Sequence, residues 1–338
     1  MLKTLVLSSV LSSLTLLTSG PSEELLRVGM IGLDTSHAIN FTKIMRDPAW
    51  KEKMLGCRVV AAFPEGSRNI ESSVSRVPKY TQSMREMDVE IVNSIDALLR
   101  KVDVVMLETN DGRPHLEQAL PVLRSGKTLF IDKPVAGTLL DTIAIFELAR
   151  HYRVPIFSSS ALRYGKDVQE VRAGKRGKVI GSNTYSPCPL EPNHPDLFWY
   201  GIHGLESLFT VMGSGCQSVT RSTSSGTDVL VGTWEGGRIG TFRGIRDGKY
   251  GYGGTVFTTE GISQAGAYDG YEPLVVEIVK FFRSGVSPVP DSETLEIYAF
   301  MEAADESKRR GGATVRLSEV MEKARSAAKT KVAQYRGR

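Results

Sequence analysis

Cysteine is scarce in this sequence and carries no pattern. Cys57, Cys188 and Cys216 lie far apart, with no C-x-x-C pair, which argues against a disulfide framework and a zinc knuckle. An excess of one charge is missing too. The 42 basic and 38 acidic residues leave a net +4, too little to imply a nucleic-acid partner. No apolar run is long enough for a stable membrane span. Internal repeats and low-complexity segments are also absent. What remains is ordinary: 41% hydrophobic and 24% charged residues in 338 positions, the composition of a globular chain long enough for two domains.

The first residues are less ordinary. Lys3 precedes L-V-L-S-S-V-L-S-S-L-T-L-L-T-S, followed by Gly20 and Pro21. A short positive start, an apolar middle and small residues before Glu23 have the outline of a signal peptide over residues 1–22. The expectation is export to a periplasmic or secreted location, the alternative being an extension on a cytoplasmic enzyme. No twin-arginine pair precedes the apolar run, so an exported chain would be threaded unfolded. At the other end, residues 326–338 read as a basic tail, a solvated helix face fraying into a loose end.

Between these ends the chain changes style once. Residues 25–158 alternate short apolar runs (R-V-G-M-I-G-L, R-V-V-A-A-F, V-D-V-V-M-L-E-T, T-L-F-I-D, V-P-I-F-S-S) with helix-like segments. That order predicts an α/β domain with a parallel sheet covered by helices on both faces. Ligands of such sheets bind at the carboxyl ends of the strands, which singles out Asp34, Thr35, Thr109, Asn110, Asp132 and Lys133. Residues 159–325 carry β-like runs from Gln217 to Gly261, with E-G-G and R-D-G-K as hairpin turns, followed by two helical stretches. The second domain is thus expected to be α+β, built on an open-faced, mainly antiparallel sheet.

The stretch V-G-M-I-G-L-D-T-S-H-A, from Val28, enters a Rossmann turn through Gly32. Where the dinucleotide fingerprint has its second and third glycines, it carries Asp34 and His37. A carboxylate at the first of these positions repels a pyrophosphate, or else caps the helix starting near Thr35. Thr35, Ser36 and the helix N–H groups can still meet a phosphate. At the end of the second strand Glu65 could hold ribose hydroxyls, while Ser67 and Arg68 could receive a 2′-phosphate. The choice between NAD and NADP stays open.

R-V-G-M-I-G, T-N-D-G-R-P-H-L-E-Q-A-L, G-K-T-L-F-I-D-K-P, W-Y-G-I-H-G-L-E, T-T-E-G and E-A-A-D-E-S occur in this order. Together they resemble the Gfo/Idh/MocA oxidoreductases, named for glucose–fructose oxidoreductase and inositol dehydrogenase. The resemblance spans residues 27 to 320. It implies a Rossmann domain followed by an open-faced sheet domain, with the active site between them. It also implies hydride transfer between NAD or NADP and a secondary hydroxyl of a sugar or cyclitol, and association as a homodimer or homotetramer through the sheet.

In D-K-P, which stands where the family has E-K-P, Lys133 is implied to touch nicotinamide ribose and substrate hydroxyl. His203 is implied as the acid/base. Both roles suit the chemistry, since oxidising a carbinol sends away a hydride and must also lose a proton. The cofactor candidates are then Gly32, Asp34, Thr35, Ser36, His37, Glu65, Thr109, Asn110, His115, Asp132 and Lys133. The substrate candidates are Arg163, Tyr164, Asp196, Trp199, Tyr200 and His203.

Trp199 stands where the family has an aspartate four residues before the histidine, and an indole there suits stacking on a sugar ring. Glu191, His194, Asp196, His203 and Glu206 crowd a short span but lack the H-E-x-x-H arrangement, so no metal site is assigned. Two rivals stand beside the oxidoreductase: a redox-neutral lyase, hydrolase or epimerase with tightly held NAD, and a cofactor-free carbohydrate-binding protein on the same fold.

Overall fold

The computed structural model describes residues 24–336; the leader-like stretch 1–22 and the last two residues lie outside the described residues. Six strands form the first sheet: β1 (Leu26–Ile31), β2 (Cys57–Phe63), β3 (Glu90–Ile91), β4 (Val104–Leu107), β5 (Leu129–Ile131) and β6 (Ile156–Phe157). All pair in parallel, in the order β3-β2-β1-β4-β5-β6. The order reverses between β1 and β4, which opens a crevice at their carboxyl ends.

The connecting helices are α1 (Ser36–Arg46), α2 (Glu71–Glu86), α3 (Ile95–Leu99), α4 (His115–Arg124) and α5 (Leu139–Tyr152). Helix α1 starts because Thr35 is extended and its hydroxyl accepts from the His37 N–H, so Thr35, and not Asp34, is the N-cap. Helix α2 was not evident in the sequence. It buries only Ser73, Thr81 and Met84 and carries Pro78 inside, so its apolar stripe is thin.

The second sheet holds β7 (Val179–Pro187), β8 (Cys216–Thr223), β9 (Thr227–Trp234), β10 (Ile239–Ile245), β11 (Gly253–Thr258), β12 (Gly261–Ala265) and β13 (Val315–Arg316). Its order is β12-β11-β7-β10-β9-β8-β13, antiparallel except where β7 and β10 run together. The E-G-G turn does join paired strands β9 and β10. The R-D-G-K turn does not make a hairpin: β7 lies between β10 and β11 and supplies the backbone partners of both.

The helices of this half are α6 (Lys166–Arg172), α7 (Asp196–Trp199), α8 (Ile202–Met212), α9 (Glu272–Ser284), α10 (Asp291–Arg309) and α11 (Leu317–Arg336). Two of them return to the first sheet. Leu274, Val275, Ile278 and Val279 of α9 join Val28, Met30 and Phe41 in one core. The expected loose tail is instead the second half of α11: Ala324, Ala328 and Val332 are buried in the same core as Ile143 and Phe146 of α5. Lys331 also pairs with Asp141 there. Helix α10 carries Tyr298 into the same core, where its hydroxyl accepts from the Val135 N–H just beyond β5. The second domain thus buttresses the loop that follows β5.

Candidate active site

The crevice is built from backbone outward. Gly32, the last residue before the β1 turn, has φ +92°, a left-handed conformation that favours glycine. A Cβ there would lie 2.4 Å from the Thr109 nitrogen, so the first glycine lets the loops after β1 and β4 touch.

Asp34 is fully buried, and its carboxylate turns inward. It accepts from the Ser73 hydroxyl at 2.5 Å, the Asn110 N–H at 3.0 Å and the Ser67 N–H at 3.3 Å. Burial pushes its pKa up, and these three donors oppose that shift. The residue expected to cap a helix or face a phosphate instead stitches together the loops after β1, β2 and β4. Ser36 stays exposed at the start of α1.

Beside the stitch lies a second set of buried polar groups. His37 takes the third-glycine position and reaches across to β5, where its Nδ1 lies 2.7 Å from Asp132 Oδ2. Its ring packs on Phe41 and edge-on against Tyr271. Glu108, at the end of β4, is completely buried, and neither of its oxygens has a hydrogen-bond partner; Asp132 Oδ1 has none either. Burial, then the charges of Asp132 and Asp34, push the Glu108 carboxyl far up, against the pull of Lys133. Burial raises Asp132 as well, but His37 and Lys133 outweigh it and hold that carboxylate low. Lys133 is 95% buried, between these acids and the second domain.

The second domain answers with His203 on α8. Gly204 beside it lets the helix lie flat on the sheet, since a Cβ would come 2.3 Å from the Phe242 ring. His203 Nδ1 is 2.7 Å from Ser160 Oγ, which leaves Nε2 free of that contact. Burial first, then the charges of Lys133 and His37, depress the His203 pKa well below the ordinary imidazole value. Ser160 is itself fixed, its hydroxyl accepting from the Leu162 N–H and its own N–H donating to Glu206. A row of rings runs from His203 through Tyr200, Tyr252 and Tyr268 to Tyr271, with Tyr200 and Tyr252 hydroxyls 3.2 Å apart. The row ends on His37. Lys133, Asp132, His37, His203 and Tyr200 therefore meet at one place.

Other candidates go elsewhere. Both ring nitrogens of His115 face backbone carbonyls, Thr109 at 2.7 Å and Val135 at 3.1 Å, and the residue is fully buried. It ties the loops after β4 and β5 together and leaves no atom for a cofactor. Asp196 accepts from Arg221 at 2.9 Å and from Lys308 at 2.8 Å, on the far side of α7. Arg163 is buried between Glu206 and Glu293, each 2.6 Å away, and holds up Ser160 through Glu206. Tyr164 lines a separate groove with Trp50 and Arg172. Trp199 packs beside His194, whose Nε2 accepts from the Gly112 N–H.

Of the Glu191–Glu206 span, His194, Asp196 and Glu206 each serve a different partner, so no ligand set forms there. Glu65 sits with Arg68 and Ser67 on a groove of about 610 Å³ at the end of β2, though the Ser67 hydroxyl lies 2.7 Å from Asp111. Thr109 keeps a buried hydroxyl without a partner, and Asn110 contributes its N–H to Asp34.

Sequence reasoning missed Glu108, Ser160, Tyr252, Tyr268 and Tyr271. Glu108 had a signal, being the one acid in the otherwise apolar end of V-D-V-V-M-L-E-T. Burying a carboxyl there is costly unless it is used or neutralised. Ser160 and the tyrosines had none, because tertiary structure alone brings them to the strand ends.

Residues 26–159 match the model of the Gfo/Idh/MocA oxidoreductase family, NAD-binding Rossmann fold. No curated protein matches the sequence significantly. Among solved structures, a probable dehydrogenase from Thermotoga maritima superposes with a TM-score of 0.71 at 17% identity, covering 87% of this chain and 100% of that one. The myo-inositol dehydrogenase from Corynebacterium glutamicum gives 0.69 at 13%, over 87% of this chain and 99% of that one. Scyllo-inositol dehydrogenase from Lactobacillus casei, solved with NAD(H) and scyllo-inositol, gives 0.67 at 15%, over 87% and 100%. At these identities the structural likeness is one of fold, and it extends over both domains.

Proposed function

We propose that the chain is an NAD(P)-linked oxidoreductase of the Gfo/Idh/MocA kind, acting on a secondary hydroxyl of a sugar or cyclitol; the match of residues 26–159 to that family's NAD-binding Rossmann domain supports the reading. One observation carries the reading. Lys133 from the first domain and His203 from the second are both buried, and each lies within reach of the other's charge at the carboxyl ends of the strands. That is where a two-domain enzyme of this fold gathers cofactor and substrate.

The residues fit a dinucleotide. Gly32 lets the loops after β1 and β4 close on each other, and the inward turn of Asp34 ties its carboxylate to three donors, away from a phosphate at the start of α1. The groove lined by Glu65, Gly66, Ser67 and Arg68 would take the adenosine end, the first turn of α1 the phosphates, and Lys133 the nicotinamide ribose. When bound, NAD(P) supplies the hydride acceptor or donor.

The chain's own residues manage the proton. His203 stays neutral at neutral pH, so its Nε2 can take the hydroxyl proton during oxidation, with Nδ1 held toward Ser160. Lys133 stabilises the developing alkoxide, and its charge adds to the burial that keeps His203 neutral. The tyrosine row offers hydroxyls and ring faces to a polyol.

The test incubates the chain with NAD⁺ or NADP⁺ and a panel of inositols and aldoses, following nicotinamide absorbance. Turnover that Lys133→Ala and His203→Ala abolish supports the roles, and variants that keep the wild-type rate overturn them. Bound nucleotide released on denaturation without net turnover would point to the redox-neutral reading. Self-association through the second sheet belongs to the same proposal, because Ile180, Ile239 and Ile262 are exposed on its strands. Export directed by residues 1–22 also belongs to it, checked by the mass of the mature chain.

A further inference from the structure

We propose that His37, Glu108 and Asp132 form a binding site for one divalent first-row metal ion, of the Zn²⁺ or Mn²⁺ kind, beside Lys133. The three residues come from the start of α1 and the ends of β4 and β5. One potential ligand atom from each lies within 4.8 Å of the others. An imidazole with two carboxylates is a donor set suited to Zn²⁺ or Mn²⁺ rather than to soft, thiolate-seeking ions. Metal–ligand bonds of about 2.0–2.2 Å would draw the triad slightly inward.

The independent sign of a ligand is the state of the oxygens. Glu108 is fully buried with neither oxygen hydrogen-bonded, and Asp132 Oδ1, 99% buried, also has no partner. Buried carboxylates are otherwise paired, because an unsatisfied one loses its hydration without return. Here His37 engages only Asp132 Oδ2, and both Glu108 oxygens stand near the charges of Asp132 and Lys133 with no hydrogen-bond partner in a water-poor setting. Either a proton on Glu108 or a cation must satisfy them.

The placement of the His37 ring favours the cation. His37 occupies the fingerprint position where close packing calls for glycine, yet its ring is aimed at Asp132 and held between Phe41 and Tyr271. Three protein ligands would leave a coordination position open to water or to a substrate oxygen. The ion would thus add an electrophile to the site without any change in the roles of Lys133 and His203.

The experiment uses the full chain stripped with chelator and titrated with ZnCl₂ and MnCl₂ by calorimetry, with no nucleotide or substrate present. It is therefore independent of the oxidoreductase reading. The expected result is one ion per chain at micromolar or tighter affinity, weakened at least a hundredfold in Glu108→Gln and in Asp132→Asn. Co²⁺ loaded in place of either ion should show visible bands that the His37→Gln chain lacks. No binding of either ion to the wild-type chain overturns the site, as does binding that Glu108→Gln leaves intact. Should a variant fail to fold, the wild-type titration decides alone. A carboxylic-acid carbonyl band in the infrared spectrum of the metal-treated chain, lost in Glu108→Gln, would show that a proton fills the role, and also overturns the proposal.

Discussion

Two kinds of buried charge stand side by side in this molecule. In the second domain, Arg163 and Arg172 face Glu206 and Glu293, two against two. Near α7, Arg221, Arg246 and Lys308 face Asp196, Asp228 and Asp305, three against three. At the strand ends, Glu108 and Asp132 face Lys133 and His37, and three of their four carboxylate oxygens have no hydrogen-bond partner. A balanced cluster fixes shape. One whose oxygens lack partners leaves them open to something that arrives from outside, which makes the third cluster the candidate functional site and the first two architecture.

The largest expected effect breaks the candidate site. Lys133→Ala or His203→Ala should lower turnover about 100- to 10,000-fold in an assay of the purified chain. Melting should stay cooperative. Breaking a balanced cluster should reverse that pattern. Arg163→Met leaves the buried Glu206 without its arginine, while Arg172 keeps Glu293, at a cost of about 3–5 kcal/mol by urea unfolding.

Acid sharpens the contrast by a third route. Burial pushes His194 down to about 4, so below pH 6.5 the unfolded chain binds this proton before the native one does. The His194 contribution to stability therefore falls as pH drops from 6.5 toward 4, by on the order of 3 kcal/mol, and is constant below that. His194→Gln should flatten that slope in pH-dependent melting curves. The smallest effect tests positioning. Ser160→Ala frees the His203 ring and should cut kcat about tenfold with KM unchanged, while Ser160→Thr restores most of it. Loss of stability without the kcat change would assign Ser160 to the fold alone.

The same division explains what could be read in the sequence. Strand and helix alternation carried the Rossmann half because buried parallel strands are continuous apolar runs, and β1, β2, β4 and β5 were all visible that way. Strand β7 was not, since V-I-G-S-N-T-Y-S-P hides its alternation among small polar residues, and without it the R-D-G-K turn was mistaken for a hairpin. Motif and order singled out Lys133 and His203, and the structure places both buried and close enough for the Lys133 charge to act on His203. Arg163, Asp196 and His115 were misread because a charged or polar residue near a motif looks the same on paper whether it faces a ligand or an ion pair. Only the three-dimensional partner distinguishes them: Glu206 and Glu293 for Arg163, Arg221 for Asp196, two carbonyls for His115. Asp34 was seen as an obstacle to phosphate because its donors Ser67, Ser73 and Asn110 come from three separate loops.

The central claim, that the strand ends hold a dinucleotide between Gly32 and Lys133, is tested most directly by titrating the chain from Leu25 onward with NADH and NADPH and following quenching of tryptophan fluorescence. The account predicts saturable binding of one of the two in the micromolar range, weakened by Lys133→Ala. No binding of either up to millimolar concentration, with no nucleotide released when the purified chain is denatured, would contradict it.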